Sequence, residues 1–212
     1  MIAAQIAAGE PRRATHAQTG VLSRVVAVAF EPMPVVSWLV PEVSDRWDLL
    51  PRYFRILVEH GMTFGRVDTL PDSEAVAVWL PGGPGAPGPL HYEQRRANAC
   101  GQYADRFAEL DDAMHAYHPQ DSPHEHLALL AVRPGRQGAG LGGRLLEYRH
   151  RDLDAAGRPA YLEASTERSA KLYERHGYRH FGKPFSPGLG CDALLFPMWR
   201  EPDRSRAEPG LS

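Results

Sequence analysis

Residues 130–142 read Leu130-Ala131-Val132-Arg133-Pro134-Gly135-Arg136-Gln137-Gly138-Ala139-Gly140-Leu141-Gly142, and this stretch decides the fold. An apolar run at 127–132 leads into it and predicts a buried strand, which Arg133-Pro134 ends. Beyond the glycines, leucines recur at three- to four-residue spacing and predict a helix that stops near Gly157. The predicted order is therefore strand, glycine-rich turn, helix.

The glycine-rich turn predicts a site for an anion. The first turn of a helix leaves backbone N–H groups unpaired and carries the positive end of the helix dipole. Glycines at 138, 140 and 142 let a phosphate approach the backbone, while Arg136 adds charge and Gln137 adds a donor. The stretch therefore indicates a ligand that bears phosphate.

Two nucleotide-binding motifs compete for this turn. A Walker loop needs Lys followed by Ser or Thr after its last glycine, but Arg144-Leu145 follows Gly143, which excludes it. Residues 138–143 do fit the dinucleotide pattern G-x-G-x-x-G, and Glu163 lies twenty positions beyond Gly143, where a ribose-binding acid belongs. That fingerprint normally leaves its strand directly into the first glycine, whereas residues 133–137 intervene here. The dinucleotide interpretation stays an alternative.

Two segments carry a family resemblance. The spacing Val132-x-Pro134-x-x-Gln137-Gly138-x-Gly140-x-Gly142 resembles the acetyl-CoA pyrophosphate signature of the GNAT acyltransferase superfamily. Residues 172–178, Leu-Tyr-Glu-Arg-His-Gly-Tyr, resemble the L-Y-E-x-x-G-F segment of the same superfamily, and they follow a predicted strand at 160–165 within a predicted helix at 166–176. The overall layout, with a strand at 75–79, resembles the puromycin N-acetyltransferase-like group.

The resemblance implies an α+β fold, also described as an α/β sandwich. Its mixed central sheet would have splayed parallel strands 4 and 5 and be flanked by helices. We predict a flexible N-terminus at 1–10, a single acetyltransferase domain at 11–200 and a disordered C-terminal tail at 201–212.

The same resemblance implies acetyl-CoA as the acyl donor, without a metal. Backbone groups of Leu130 and Val132 would pair with the pantetheine arm, and one strand amide could stabilise the oxyanion. The turn would hold the pyrophosphate, and Ser169 stands where many members carry an Asn that contacts the cofactor arm. The expected donor contacts are Leu130, Ala131, Val132, Arg136, Gln137, Gly138, Ala139, Gly140, Leu141, Gly142 and Ser169.

Acyl transfer to an amine needs a proton acceptor for the amine and a proton donor for the leaving thiolate. Tyr173 matches the Tyr that superfamily members place against the sulfur, so it is the predicted donor. The base is left open among residues near the predicted strand starts or on the strand facing the cleft. These candidates are Glu125, His126, Glu163 and His124.

Four histidines, His115, His118, His124 and His126, were tested as zinc ligands, since paired imidazoles can bind that ion. No cysteine or well-spaced carboxylate completes a set in the sequence, so we predict no metal. Cys100 and Cys191 are too few for a disulfide framework and are predicted to be free thiols of a cytoplasmic protein.

The composition limits the choice of partners. The 212 residues, 43% of them hydrophobic, suit one or two domains with a core. A formal charge of -2 gives no indication of nucleic-acid binding, and no apolar run approaches the roughly twenty residues of a membrane span. We therefore expect neither nucleic acid nor a membrane as a partner. The family resemblance implies a small-molecule amine as the acceptor, and we expect a monomer or homodimer.

The remaining elements follow from apolar periodicity and from breakers. Residues predicted to point inward from the first helix are Val21, Leu22, Val25, Val28 and Ala29. Prolines are expected to divide the next segment into short helices. The predicted elements are a strand at 12–15, helices at 17–30, 35–40, 45–50 and 53–60, a strand pair at 62–69 and 74–80, a loop at 81–89, a helix at 92–114 broken near 100–101, and strands at 180–185 and 193–199.

The leading functional hypothesis is transfer of an acetyl group to a primary amine of a small molecule, such as an antibiotic or aminonucleoside, by direct attack in a ternary complex. One alternative is a transferase of the same fold that uses another acyl or aminoacyl donor. Another is a non-catalytic CoA-binding module.

Overall fold

A computed structural model describes residues 9–206 of the chain. The strands are β1 (Arg12–Arg13), β2 (Arg66–Thr69), β3 (Ala75–Gly82), β4 (His124–Val132), β5 (Ala160–Ala164), β6 (Arg179–His180) and β7 (Phe196–Arg200). The helices are α1 (Thr19–Phe30), α2 (Pro34–Leu39), α3 (Val43–Phe64), α4 (Tyr92–Cys100), α5 (Ala104–Tyr117), α6 (Leu141–Ala155) and α7 (Glu167–Arg175).

The seven strands form one mixed sheet in the order β1-β2-β3-β4-β5-β7-β6. The pair β4 and β5 is parallel, and the other neighbouring pairs are antiparallel. Helix α6 makes the crossover between β4 and β5, as parallel neighbours require. The predicted mixed sheet with parallel strands 4 and 5 is confirmed.

Strands β4 and β5 separate soon after they meet. Their register consists of only two pairs, Glu125 with Ala160 and His126 with Tyr161. Just beyond, the pairing of β4 with β3 shifts, because Leu127 opposes Trp79 while Leu129 opposes Val78. Ala128 is thus an extra residue in β4, and such a bulge bends its strand and increases the local twist. The bulge therefore lies where β4 leaves β5.

The two faces of the sheet carry separate apolar cores, as the alternation in β3 predicts. Ala75, Ala77 and Trp79 pack on the face covered by α6 and α7, whereas Val76 and Val78 pack on the face covered by α1, α2, α3 and α5. All five side chains are fully buried. The predicted division of β3 into two faces is confirmed.

Helix α3 contradicts the prediction that Pro51 separates two short helices. It runs unbroken from Val43 to Phe64 with Pro51 inside, so it also includes residues 62–64 of the predicted strand at 62–69. An internal proline costs a helix about 3 kcal/mol. Leu49, Leu50, Tyr53 and Phe54 are nearly completely buried around it, and each contributes about 1.5–3 kcal/mol. Packing therefore outweighs the local effect of the proline.

Helix α1 begins at Thr19, two residues after its predicted start. Of the five side chains predicted to point inward, Leu22, Val25 and Ala29 are buried, which confirms that part of the prediction. The prediction is wrong for Val21 and Val28, which are 42% and 39% exposed.

The break predicted near residues 100–101 is confirmed by the boundary between α4 and α5. The strand predicted at 180–185 is reduced to Arg179–His180 and an isolated bridge between Phe185 and Leu195.

The predicted tail begins with residues that the structure places in defined contacts. The N–H of Asp203 donates to buried Asp154, which also pairs with Arg200, and Arg204–Arg206 form a 3-10 helix. The rest of the tail, 207–212, and residues 1–8 of the predicted flexible N-terminus lie outside the described residues. No helix within 9–206 is long and apolar enough to cross a membrane.

Candidate active site

The splayed part of β4 has an open backbone edge. The N–H of Arg133 donates to the carbonyl of Glu74 next to β3. Because backbone N–H groups alternate in direction along a strand, those of Val132 and Leu130 point to the other side, toward β5. No residue of β5 pairs with β4 there. These two residues, predicted to hold the pantetheine arm, therefore border a cleft in which their amides can bind an extended ligand.

The glycine turn leads from β4 directly into α6. Gly135, Gly138 and Gly140 have φ angles of 82°, 81° and 76°, in the left-handed region that glycine adopts most readily. At Gly138 and Gly140 an added Cβ would meet nothing within 4 Å, so the space outside the turn is open. Gly140 caps α6 without any side-chain hydrogen bond. The first N–H groups of α6 thus face an open space suited to a phosphate.

Two predicted donor contacts have protein partners instead. The guanidinium of Arg136 forms an ion pair with Glu74 at 2.9 Å and is 38% exposed, so it holds the base of the turn while remaining partly accessible. The hydroxyl of Ser169 bonds to Thr166 in the capping box that starts α7. Ser169 therefore acts as a helix-capping residue in this structure. Gln137, Ala139 and the glycines beside them are exposed in the turn.

Tyr173 lies on α7 in the core that faces α6 and is 8% exposed. Its ring packs edge-on against Tyr178 at 5.8 Å between ring centres. None of the hydrogen bonds among residues 9–206 involves the Tyr173 hydroxyl. Burial raises the pKa of Tyr173 well above that of a free phenol, so the side chain keeps its proton throughout the neutral range.

The structure brings together three of the four candidate bases. Nε2 of His126 on β4 lies 2.9 Å from Oε2 of Glu163 on the adjacent strand β5. His124 lies on the same face of β4 as His126, with both rings against Tyr161. Glu125 points to the opposite face, where it pairs with Arg149 at 3.1 Å. Glu125 therefore lies apart from the other three candidate bases.

His118 completes this group, although it was considered only as a zinc ligand. It follows α5, and its Nε2 lies 3.0 Å from Nε2 of His124. Its Nδ1 is 3.8 Å from Oε1 of Glu163, too far for a hydrogen bond. No signal local to residue 118 predicts this placement, because α5 and β4 have to pack before the two imidazoles meet.

Glu163 adds a carboxylate to this group of imidazoles, although its position in the sequence did not indicate a metal ligand. Ligand atoms of His118, His126 and Glu163 all lie within 4.8 Å of one another, the one such group in the part of the chain that the structure describes. Two imidazoles and a carboxylate could hold a divalent cation after a small contraction. The same three groups are equally suited to moving a proton.

Burial and two neighbouring imidazoles determine the protonation state of Glu163. Burial alone would raise its pKa, but the neighbouring His126 and His118 outweigh burial and lower the pKa to about 2. Glu163 is therefore a carboxylate at neutral pH. Its Oε1 is buried without a hydrogen-bond partner among the described residues. Oε2 orients the His126 ring, and Oε1 lies 3.8 Å from Nδ1 of His118.

His124 makes the stability of the protein depend on pH. Burial first, then the nearby His118 and His126, lower the pKa of His124 from 6.5 to about 4. Because the unfolded chain binds a proton below pH 6.5 that folded His124 resists, this contribution is complete above pH 6.5 and is lost as pH falls toward 4. We expect the free energy of unfolding in urea to fall over this range, and less steeply in His124→Gln. The matched variant His16→Gln, at an exposed histidine, should keep the wild-type slope; equal slopes in all three proteins would contradict the assignment.

An apolar cavity of about 180 Å³ opens beside His126 and Glu163. Its walls come from α1 to α5, and its remaining side is the sheet at Ala128 and Leu129. The aromatic side chains that line it are Phe30, Tyr53, Phe54, Tyr92 and Phe107. The imidazole–carboxylate pair thus connects this cavity with the sheet face on which β4 and β5 separate.

An open strand edge, a glycine-rich helix start without a side-chain cap and a neighbouring imidazole–carboxylate pair are features that the resemblance to an acyltransferase led us to expect. Residues 103–180 match the family model described as acetyltransferase (GNAT) domain. This segment, which contains β4, the glycine turn and β5, is therefore similar to a GNAT acetyltransferase domain.

Solved structures agree with this fold. A histone acetyltransferase HPA2 and related acetyltransferase from Corynebacterium glutamicum matches with a TM-score of 0.66 and 24% identity, covering 96% of this chain and 99% of that one. Arylalkylamine N-acetyltransferase 2 from Aedes aegypti gives 0.60 and 10%, over 92% and 99%. An agmatine N-acetyltransferase gives 0.57 and 16%, over 90% and 98%. At these identities the likenesses establish the fold alone.

Proposed function

We propose that this protein is an acetyl-CoA-dependent N-acetyltransferase that acts on a primary amine of a small molecule by direct attack in a ternary complex. The observation that carries the proposal is the departure of β4 from β5 after His126, followed directly by the glycine turn and the start of α6. This arrangement offers strand amides to a pantetheine arm and helix amides to its phosphates. The acceptor amines named for two similar folds also favour an amine substrate.

The proposed reaction uses two groups of this chain. The His126 imidazole accepts a proton from the substrate ammonium, and Glu163 keeps the imidazole oriented at 2.9 Å. The neutral amine nitrogen then forms a bond to the thioester carbonyl carbon while an amide of β4 donates to the carbonyl oxygen. The carbon–sulfur bond breaks, and the leaving sulfur takes the proton of Tyr173. The nitrogen then loses its second proton, which returns to the Tyr173 phenolate, so that one proton in all remains on His126. The products are the N-acetyl amide and free CoA.

The donor site can be tested with two glycines of the same helix. Gly140 and Gly157 lie at opposite ends of α6, both with positive φ and both with open space where a Cβ would be. A Trp at either position costs about 1–2 kcal/mol of backbone strain. We expect calorimetry to show acetyl-CoA binding at least about tenfold weaker in Gly140→Trp, where the indole obstructs the anion site, than in Gly157→Trp.

The binding measurements also distinguish the proposed function from its alternatives. If wild type binds neither acetyl-CoA nor CoA while remaining folded by circular dichroism, the donor assignment is wrong and the dinucleotide alternative returns. If it binds CoA but prefers another thioester, the acyl group of the proposal has to be replaced. If it binds acetyl-CoA but acetylates no amine, the non-catalytic CoA-binding module is favoured.

A further inference from the structure

The cavity beside His126 and Glu163 indicates the chemical class of the acceptor. We propose that the acceptor is a primary amine attached through a short linker to one compact apolar ring, most simply an aromatic ring. This inference rests on the proposed N-acetyl transfer and specifies its substrate class. It depends on the lining, the volume and the charges of the cavity.

The residues that line the cavity favour an apolar group on the acceptor. Side chains from five helices form its walls, including Phe54 and Leu57 of α3 and Phe107 and Leu110 of α5, and Met33 before α2 adds to them. Burying a hydrocarbon ring against these surfaces is favourable. A polyhydroxylated or polycationic group would lose its hydration there without finding hydrogen-bond partners. Flat aromatic walls also favour an aromatic guest through edge-on and offset contacts.

The volume limits the size of that body. A protein cavity of about 150 Å³ lined by apolar side chains binds benzene. The cavity here measures about 180 Å³, which suits one six-membered ring with a short linker. An aminonucleoside with a purine, a sugar and further substituents would have to extend out of this space, so the apolar lining would cover only part of it. The cavity therefore favours a single-ring amine over an aminonucleoside.

The charges define which end of the acceptor lies at the sheet. Asp111, the other carboxylate lining the cavity, pairs with Arg96 at 2.7 Å and accepts the Tyr92 hydroxyl at 3.0 Å. Glu163 and His126 line the cavity where it meets the sheet, and no arginine or lysine lines it there among the described residues. The Glu163 carboxylate attracts an ammonium group to this end, where the ammonium can present an N–H to His126 with its ring directed into the cavity.

The walls are fixed by contacts of their own, so the cavity exists before a ligand enters. Tyr53 packs against Phe107 at 4.5 Å between ring centres, and Phe30 packs edge-on against Phe54 at 5.3 Å. A preformed cavity discriminates between acceptors by shape at little ordering cost.

The test compares acceptors at saturating acetyl-CoA, with release of free CoA as the readout. The probes are 2-phenylethylamine, 1,4-diaminobutane and an aminonucleoside that bears a primary amine. We expect kcat/KM for 2-phenylethylamine to exceed that for either of the others by at least about 30-fold. Equal or higher kcat/KM for the diamine or the aminonucleoside would overturn the inference while leaving N-acetyl transfer intact.

Two substitutions at one wall residue test the cavity itself. Leu57 is half-buried and lines the cavity away from the residues that we assign to catalysis. Leu57→Trp should fill the space and lower kcat/KM for 2-phenylethylamine about tenfold or more, with acetyl-CoA affinity unchanged. Leu57→Ala should enlarge it and raise the relative rate of the two-ring amine 2-(1-naphthyl)ethylamine. Equal effects of Leu57→Trp on all acceptors would overturn the inference, whereas bound acetyl-CoA with no amine acetylated would overturn N-acetyl transfer.

Discussion

Replacing His126 by Ala should lower kcat for acetyl transfer by about 10³-fold, with little change in acetyl-CoA affinity. The imidazole is the base that we propose, because it lines the apolar cavity and its Nε2 lies 2.9 Å from Oε2 of Glu163. Most of a primary amine is protonated at neutral pH, so removing the acceptor of that proton slows the step in which nitrogen attacks carbon. The measurement is kcat at saturating acetyl-CoA and amine, beside calorimetry of the donor.

Two controls distinguish a chemical role of His126 from a structural one. Imidazole added to the solution should partly restore turnover in His126→Ala, because the vacated space connects with the cavity, and a purely structural loss would not respond. Glu125→Gln should keep nearly wild-type kcat, since Glu125 pairs with Arg149 on the opposite face. A large loss of kcat in Glu125→Gln, together with a small one in His126→Ala, would reverse the assignment of the base.

The parts of the fold that could be predicted are those that depend only on residues close together in the sequence. The glycines at 138, 140 and 142 indicated a turn before a helix, and the structure has that turn, with positive φ at Gly138 and Gly140. The alternation at 75–79 placed Trp79 and Val78 on opposite faces, which is where they lie. Each of these features is encoded within a few consecutive residues and needs no knowledge of distant contacts.

The parts that the sequence did not predict depend on packing between distant segments. Pro51 breaks a helix by local rules, but burial around it keeps α3 continuous. The bulge at Ala128 follows from the register of β4 against β3, which the order of residues in β4 does not specify. His118 reaches His124 and approaches Glu163 only after α5 packs beside β4.

The division among the candidate bases has the same origin. Glu125 and His126 are adjacent in the sequence and equally plausible there, but consecutive residues of a strand point to opposite faces. The deciding fact is which face carries the cavity, and that depends on the positions of α1 to α5. The sequence could therefore give a short set of candidates, and the tertiary structure separates its members.

Tyr173→Phe should retain acetyl-CoA binding and lose turnover by about 10²-fold. The substitution removes one oxygen from a buried ring whose hydroxyl makes no hydrogen bond with residues 9–206, so the fold has little to lose. The loss should therefore appear in the breaking of the carbon–sulfur bond, where the leaving sulfur needs a proton. Single-turnover measurements with bound acetyl-CoA report this step separately from binding and product release.

Tyr178→Phe is the matched control, because its ring is also buried and lies 5.8 Å from that of Tyr173. Its hydroxyl already bonds to His150 at 3.2 Å, so the Phe variant should lose about 1 kcal/mol of stability and keep its turnover. A result in which both variants lose turnover equally would assign Tyr173 to packing. Burial alone raises the pKa of Tyr173, so its phenol is protonated at the start of the reaction. The same shift makes the phenol a weaker acid, so transfer to the sulfur requires the developing thiolate to lie directly beside this hydroxyl.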